Sequence, residues 1–212
     1  MATTWHQEVR NRNREEFITA GQKVLLERNF INVSHKEVCE RANLSKVTFY
    51  KCFTSMDELI FAIQIKVLGE ITEFIMANAA KEQRGLDSVK GYLDTWIRIM
   101  ETHSGHLKFI GFFDHTYKDQ YPTESLRSTY TEVIKEAQFG KLLIRFVQQG
   151  VEDGSIRNDI HVEKIVLFIL EMIISLMQRL ASRGQLLEEE HGFSWREIAE
   201  TSKEFVIGYL EC

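Results

Sequence analysis

One proline, Pro122, stands in 212 residues, where average usage near 5% would give about ten. A backbone so seldom deprived of an N–H can run in long hydrogen-bonded segments. Alternating apolar and polar stretches are scarce as well, and sandwiches or barrels need turn punctuation that this chain lacks. An all-α fold of about nine helices is therefore expected. The hydrophobic share of 44% and charged share of 27% argue against a largely disordered chain. The length suffices to bury a core without disulfide or metal staples, so no cofactor is expected.

The start, Met1 to Glu16, is polar and lacks a secretory signal's apolar stretch, so a cytoplasmic location is expected. The densest apolar stretch, Ile165 to Met177, contains Glu171 and Ser175 and falls short of the roughly 18 residues of a membrane span. It reads as a buried helix, with no membrane partner. Cys39, Cys52 and Cys212 are odd in number and widely spaced, which suits neither a disulfide framework nor a zinc site.

The formal charge of −5 is unevenly spread. Residues 1–53 hold nine Lys/Arg against six Asp/Glu, and the remainder seventeen against twenty-five. Arg10, Arg12 and Arg14, close together before the first helix core, could form a phosphate-facing arm, although a solvated helix end has the same composition.

Ser34 to Glu37, Ser55 to Glu58 and Ser194 to Glu197 fit the capping box, and Thr4 to Gln7 fits it loosely. The periodicity predicts a first helix from about residue 8 to Arg28, stopped by Asn29, a second from Ser34 to Ala42 and a third from Ser45 to Cys52. A fourth runs from Ser55 toward Ala80, and another through Trp96 to Glu101, followed by the Phe-rich segment Phe109 to Tyr117. A helical period continues from Ser125 to Gly150, and Val162 to Leu180 forms a strongly apolar helix ended by Gly184. Glu188 to His191 reads as a solvated loop, and the last helix runs from Ser194 to Tyr209.

On a wheel with Lys46 at zero, Phe49, Cys52 and Phe53 cluster between about 240° and 340°, and Tyr50, Val47 and Lys51 between about 40° and 140°. The first set packs on Val38, Cys39 and Leu44; the second is exposed. Val47 could meet a thymine methyl while its polar neighbours hold phosphates. The link Ala42-Asn43-Leu44 is tight, and Asn tolerates a left-handed backbone. This is helix-turn-helix geometry, though a plain helical corner has the same shape.

The run Val38-Cys39-Glu40-Arg41-Ala42-Asn43-Leu44-Ser45-Lys46-Val47-Thr48-Phe49-Tyr50-Lys51-Cys52-Phe53, continued by Ser55 to Leu59, resembles the DNA-binding domain of the tetracycline-repressor (TetR) family. The resemblance implies a helix-turn-helix domain at 1–54 and a helical effector-binding and dimerisation domain at 55–212. It implies that Ser34 caps helix two beside a phosphate, that Lys46 and Val47 approach bases, that Thr48 and Tyr50 contact phosphates, and that Lys51 contacts a phosphate or base edge. Asn43 and Val47 replace two usual glycines, and Met56 replaces a Lys that commonly touches phosphate.

The family's two-fold dimer would join the last two major helices, through Ile165, Ile169, Ile173, Met177, Ile198, Ser202, Phe205 and Tyr209, and would bind an inverted-repeat operator. A small, apolar or aromatic effector would lie among Trp96, Met100, Phe109, Phe112, Phe113, His115, Tyr117, Tyr130, Phe146, Phe168 and Met172, to which Phe139 adds a ring. The expected function is a homodimeric transcriptional repressor released by that effector. His103, His106, Asp114 and His115 lack any fixed ligand spacing, so no metal is expected. No phosphate loop, HExxH or GxSxG occurs, which speaks against an enzyme. The competing expectation is a helical interaction protein that does not bind DNA.

Overall fold

The computed structural model describes residues 2–28, 30, 33–136 and 138–211, leaving Asn29 and Cys212, with the side chain of Phe139, outside the described residues. Nine helices are found among these residues, and the regular structure is α apart from an isolated antiparallel bridge between Ile156 and Glu211. They are α1 (Ala2–Glu27), α2 (His35–Ala42), α3 (Lys46–Cys52), α4 (Met56–Asn78), α5 (Gly85–Thr116), α6 (Glu124–Glu136), α7 (Gln138–Glu152), α8 (Val162–His191) and α9 (Trp195–Leu210). The chain forms two compact units, one of residues 1–68 and 112–134, the other of 69–111 and 135–212.

In the first unit the capping box at Ser34 forms in full, with the Glu37 amide donating to Ser34 Oγ and Glu37 returning its carboxylate. That bond to the Ser34 backbone holds the Glu37 carboxyl below its usual pKa. Ser45 caps α3 by accepting from the Thr48 amide. Between the two helices Asn43 adopts the expected left-handed conformation (φ 53°, ψ 39°), and the Leu44 amide reaches back to the Cys39 carbonyl. Seven residues cannot hold a helix unaided. Phe49 and Phe53 are wholly buried, and both meet Phe17 of α1 edge-on, at 5.3 and 6.3 Å between ring centres.

Several boundaries differ from expectation. Helix α1 begins at Ala2, so Thr4 lies inside it rather than at a cap. Ser55 accepts from the Glu58 amide, but the Glu58 carboxylate is taken by Thr54, leaving that box half-formed. As expected, the stretch 85–117 is in two helical pieces: α5 is broken by a kink at His103, whose φ −135° and ψ 32° are non-helical, next to the Ser104-Gly105 pair that weakens a helical ladder. The helical period expected from 125 to 150 is met by α6 and α7, on either side of residue 137, which lies outside the described residues.

In the second unit Gly184 does not end α8. The helix runs on to His191 and stops at Gly192, whose φ of 78° is left-handed, so Glu188 to His191 form its last turn and not a loop. Gly184 is instead a point of close approach, since a Cβ there would sit 3.2 Å from Trp195 Cβ. The core side of α8 is Val166, Ile169, Ile173, Met177 and Leu180. By length and composition alone this 30-residue helix could cross a membrane; its buried residues pack within the unit at helical spacing. Gly85 lies so near Gly150 that a Cβ would meet the Gly150 nitrogen at 2.0 Å. The amides of Gly85 and Leu86 donate to Asp153 and Ser155, which pins the start of α5.

Candidate nucleic-acid interface

The outer face of α3 carries Lys46, Val47, Tyr50 and Lys51, all exposed, with Val47 67% open to solvent. Thr48 is half-buried, and its hydroxyl shares a hydrogen bond with Ser45 Oγ at 2.8 Å. Tyr50 stands beside His35, ring centres 5.8 Å apart, and Lys46 Nζ lies 5.9 Å from the Tyr50 ring. His35, which sequence reasoning passed over, joins the flank on which Ser34 caps α2. Its position directly after the cap is the signal that could have found it.

Electrostatics favour this face. Of the six carboxylates in residues 1–53, Glu27 pairs with Arg41, Glu37 with Arg28 at 2.9 Å and Glu40 with Lys36 at 3.8 Å. Those three acids neutralise two cations of α2 and Arg28, which follows α1. Lys46 and Lys51 have no carboxylate partner among the described residues.

The three arginines do not make one arm. Inside a helix, Arg10 and Arg14 lie about 40° apart, while Arg12 is turned about 200° from Arg10. Arg10 and Arg12 are exposed, whereas the Arg14 guanidinium lies over the Phe53 ring at 4.4 Å with one nitrogen buried. A two-residue spacing would share a face in a strand; in a helix it does not. Met56 opens α4 with an apolar side chain.

The residues expected to line an effector site fall in both units. In the first, Phe113, Tyr117 and Tyr130 surround Phe61, at 4.8, 4.9 and 5.9 Å between ring centres. Tyr121 adds a fourth ring at 5.9 Å. The Tyr117 hydroxyl donates to Asp57, and burial together with that carboxylate pushes the phenol pKa up. Tyr130 is half-buried, and desolvation pushes its pKa up to about 12 against the opposing effect of the long 3.4 Å bond it accepts from Gln64. Gln64 is fully buried, and its carbonyl oxygen meets no donor among the described residues. Asp57, Phe61 and Gln64 were missed, yet their spacing of four and three marks one face of α4. Phe112 stacks on Phe30 at 4.4 Å instead, and His115 is exposed.

In the second unit Trp96, Met100, Phe109 and Phe146 are buried and Met172 is half-buried, but Phe168 is 60% exposed on α8. The surface expected at a dimer contact divides likewise. Ile169, Ile173 and Met177 are core residues of this chain, with no area left for a partner. Ile165, Ile198 and Ser202 are half-buried. Phe205 (75%) and Tyr209 are exposed, as are Phe168 and the unforeseen Leu167. His106 is bound to Glu70 at 2.5 Å and His103 packs against Phe74, and no trio of metal-ligating side chains occurs among the described residues.

Residues 17–63 match the family of bacterial regulatory proteins, tetR family. No curated protein matches the chain. A bacterial regulatory protein of the tetR family from Rhodococcus RHA1 superposes with a TM-score of 0.69 at 13% identity, over 94% of this chain and 97% of that one. The regulator FadR of Bacillus subtilis, in complex with stearoyl-CoA, gives 0.67 at 12% identity, over 93% and 99%. The ketosteroid transcriptional regulator KstR2 of Mycobacterium tuberculosis gives 0.64 at 14%, over 94% and 95%. At such identities the likeness is one of fold.

Proposed function

We propose that this chain, a TetR-family transcriptional regulator by its residues 17–63 and its fold, is a homodimeric repressor that binds an inverted-repeat operator and leaves it when a small apolar or aromatic effector binds. The observation that carries this is the outer face of α3. Two lysines with no carboxylate partner among the described residues flank an exposed valine and tyrosine on a helix short enough to owe its existence to the helices behind it. Lysine and tyrosine donors take phosphates, Ser34 caps α2 beside another, and Val47 faces bases.

Residues 1–54 serve DNA binding in this reading and 55–212 serve effector binding and dimerisation. Leu167 and Phe168 of α8 and Phe205 and Tyr209 of α9 are large apolar side chains left exposed on each protomer, which supports a self-complementary contact of α8 and α9. Two-fold symmetry sets the two α3 helices about one DNA turn apart.

The rings around Phe61, with the unmatched Gln64 carbonyl, support an effector with an aromatic or apolar body and a hydrogen-bond donor. That FadR is seen with stearoyl-CoA and that KstR2 is a ketosteroid regulator support an apolar ligand. Release requires that the effector bind more tightly to the conformation in which the α3 spacing no longer suits the operator, and α4, which runs from Met56 beside α3 to Asn78, is the element to transmit it. The protein works in the cytoplasm and without catalysis.

Selection of bound sequences from a random duplex pool at two salt concentrations tests this. An enriched palindrome is expected; recovery of no motif at either salt overturns the reading in favour of a helical interaction protein.

A further inference from the structure

Between α5, α8 and the start of α9, inside the second unit, lies a cleft of about 400 Å³, a volume typical of small-molecule sites. Its walls follow from local structure. Met100, Ser104 and Lys108 recur every four residues and so line one side of α5, with Ser104 directly after the kink at His103. Helix α8 contributes Leu180 and Leu186, and Gly184 between them lets Trp195 come down close to the α8 backbone.

The lining joins an apolar wall to a few polar atoms. Met100 and Leu180 are buried, while Leu186 and Trp195 are partly open to solvent. The charges at the cleft are matched with one exception. Glu101 is held by Arg196 of α9, and one terminal nitrogen of Arg183 donates to both Glu190 oxygens, at 2.8 and 3.1 Å. Lys108 is half-buried and has no carboxylate partner among the described residues. Arg183 Nε is closed off from solvent and meets no acceptor among them, and the Ser104 hydroxyl is unpartnered in the same sense. A shielded donor left unpaired costs free energy, which favours a ligand that brings an acceptor.

These features select the ligand. One unmatched ammonium suits one negative charge; a phosphate dianion would bring a second, to be met only by the already paired Arg183 beside Glu101 and Glu190. The apolar wall suits a hydrocarbon body. We propose that this cleft binds a small organic monocarboxylate with an alkyl or aryl body. Its carboxylate accepts from Lys108 Nζ, with Arg183 Nε and Ser104 as further donors, and its body lies against Met100, Leu180, Leu186 and Trp195. This is a second ligand site, built from other residues than the Phe61 rings, which belong to the first unit. It lies about 24 Å along α8 from Phe168 of the proposed dimer contact. The site stands independently of DNA binding.

Octanoate and hydrocinnamate serve as probes, with their neutral amides as isosteres. They are titrated into the full chain at about pH 7, where a carboxylic acid is ionised, and followed by calorimetry and tryptophan fluorescence. Both acids are expected to bind at least about tenfold more tightly than their amides. Lys108→Gln should bring the acids down to the affinity of the amides and leave the amides unchanged. Ser104→Leu keeps the charge but fills the cleft, and should weaken acids and amides together. Lys164→Gln removes the same charge from an exposed position near the start of α8, and should alter nothing. Acids and amides binding alike, or acid binding that survives both cleft variants, would overturn the site. So would the absence of binding by either acid up to about 10 mM. Displacement of the acids by equimolar inorganic phosphate would overturn the choice of a monocarboxylate. Far-UV circular dichroism of each variant confirms that it is folded.

Discussion

The Tyr117 hydroxyl donates to Asp57 Oδ1 at 2.7 Å, tying the chain just beyond α5 to the first turn of α4. The carboxylate sits at a helix start, where negative charge is favoured, and takes a charge-assisted bond. Removing the donor leaves the half-buried Asp57 to find water. Tyr117→Phe is expected to destabilise the fold by about 1.5–3 kcal/mol in urea denaturation. If the bond also sets the pose of α4, this variant will shift operator affinity while leaving the Lys46→Ala effect intact.

Burial pushes the phenol pKa values of Tyr92, Tyr117 and Tyr130 above the ordinary value of 10.0, with Asp57 adding to the rise at Tyr117. A group whose pKa is higher in the folded than in the unfolded chain contributes stability below the unfolded pKa, and that contribution is lost as pH rises through the folded one. Stability should therefore hold through neutrality and fall once pH exceeds about 10. Phenolate absorbance should show three of the six tyrosines ionising late or only on unfolding; six titrating together near the ordinary value would refute it.

At the α3 face, Lys46→Ala and Val47→Ala should fail differently. Loss of the ammonium weakens all duplexes alike, by several-fold. Loss of the valine methyls costs about 1 kcal/mol only where a thymine methyl faces it. Competition between the enriched duplex and single-substitution versions of it separates the two, and the far-UV helical signal should be unchanged in both.

Phe205 is the most exposed large apolar side chain among those described. Phe205→Glu places a charge at the proposed α8–α9 contact and is expected to convert a dimer to a monomer in sedimentation equilibrium without loss of helix. A wild-type chain that sediments as a monomer at micromolar concentration would contradict the proposed assembly.

Gly85→Ala and Gly184→Ala probe two kinds of contact. At Gly85 the new methyl would strike the Gly150 backbone at 2.0 and 2.4 Å, where nothing yields cheaply; at Gly184 it would press on Trp195 Cβ at 3.2 Å. Overpacking costs about 1–3 kcal/mol and sometimes more. Gly85→Ala should be the worse by thermal and urea denaturation.

Most of the first unit was legible because its signals are local. A serine and a glutamate three apart specify the α2 start, as they do the α9 start in the second unit, and an asparagine between two short helices specifies a left-handed corner. What failed was direction. The run Ile165 to Ile174 is apolar nearly all round, and sequence alone cannot say that Ile169 and Ile173 turn inward while Leu167 and Phe168 turn out. Arg10, Arg12 and Arg14 look like a cluster by their spacing, but the turn of α1 points Arg12 away from the other two. Gly184 carries the same letter as a helix stop, but the tertiary neighbour that requires it, Trp195, is eleven residues on. The Asp57, Phe61 and Gln64 face was readable in principle; the rings that meet it lie some fifty or more residues later.

Because Gly184 lacks a Cβ, Trp195 seats directly on the α8 backbone, and the spacing of α8 from α9 at that end is fixed within a single protomer. A partner would then dock onto relief that is already cast, with little chain ordering left to oppose association. Encounter would be governed by diffusion and orientation, as for two rigid bodies, and not by folding upon contact.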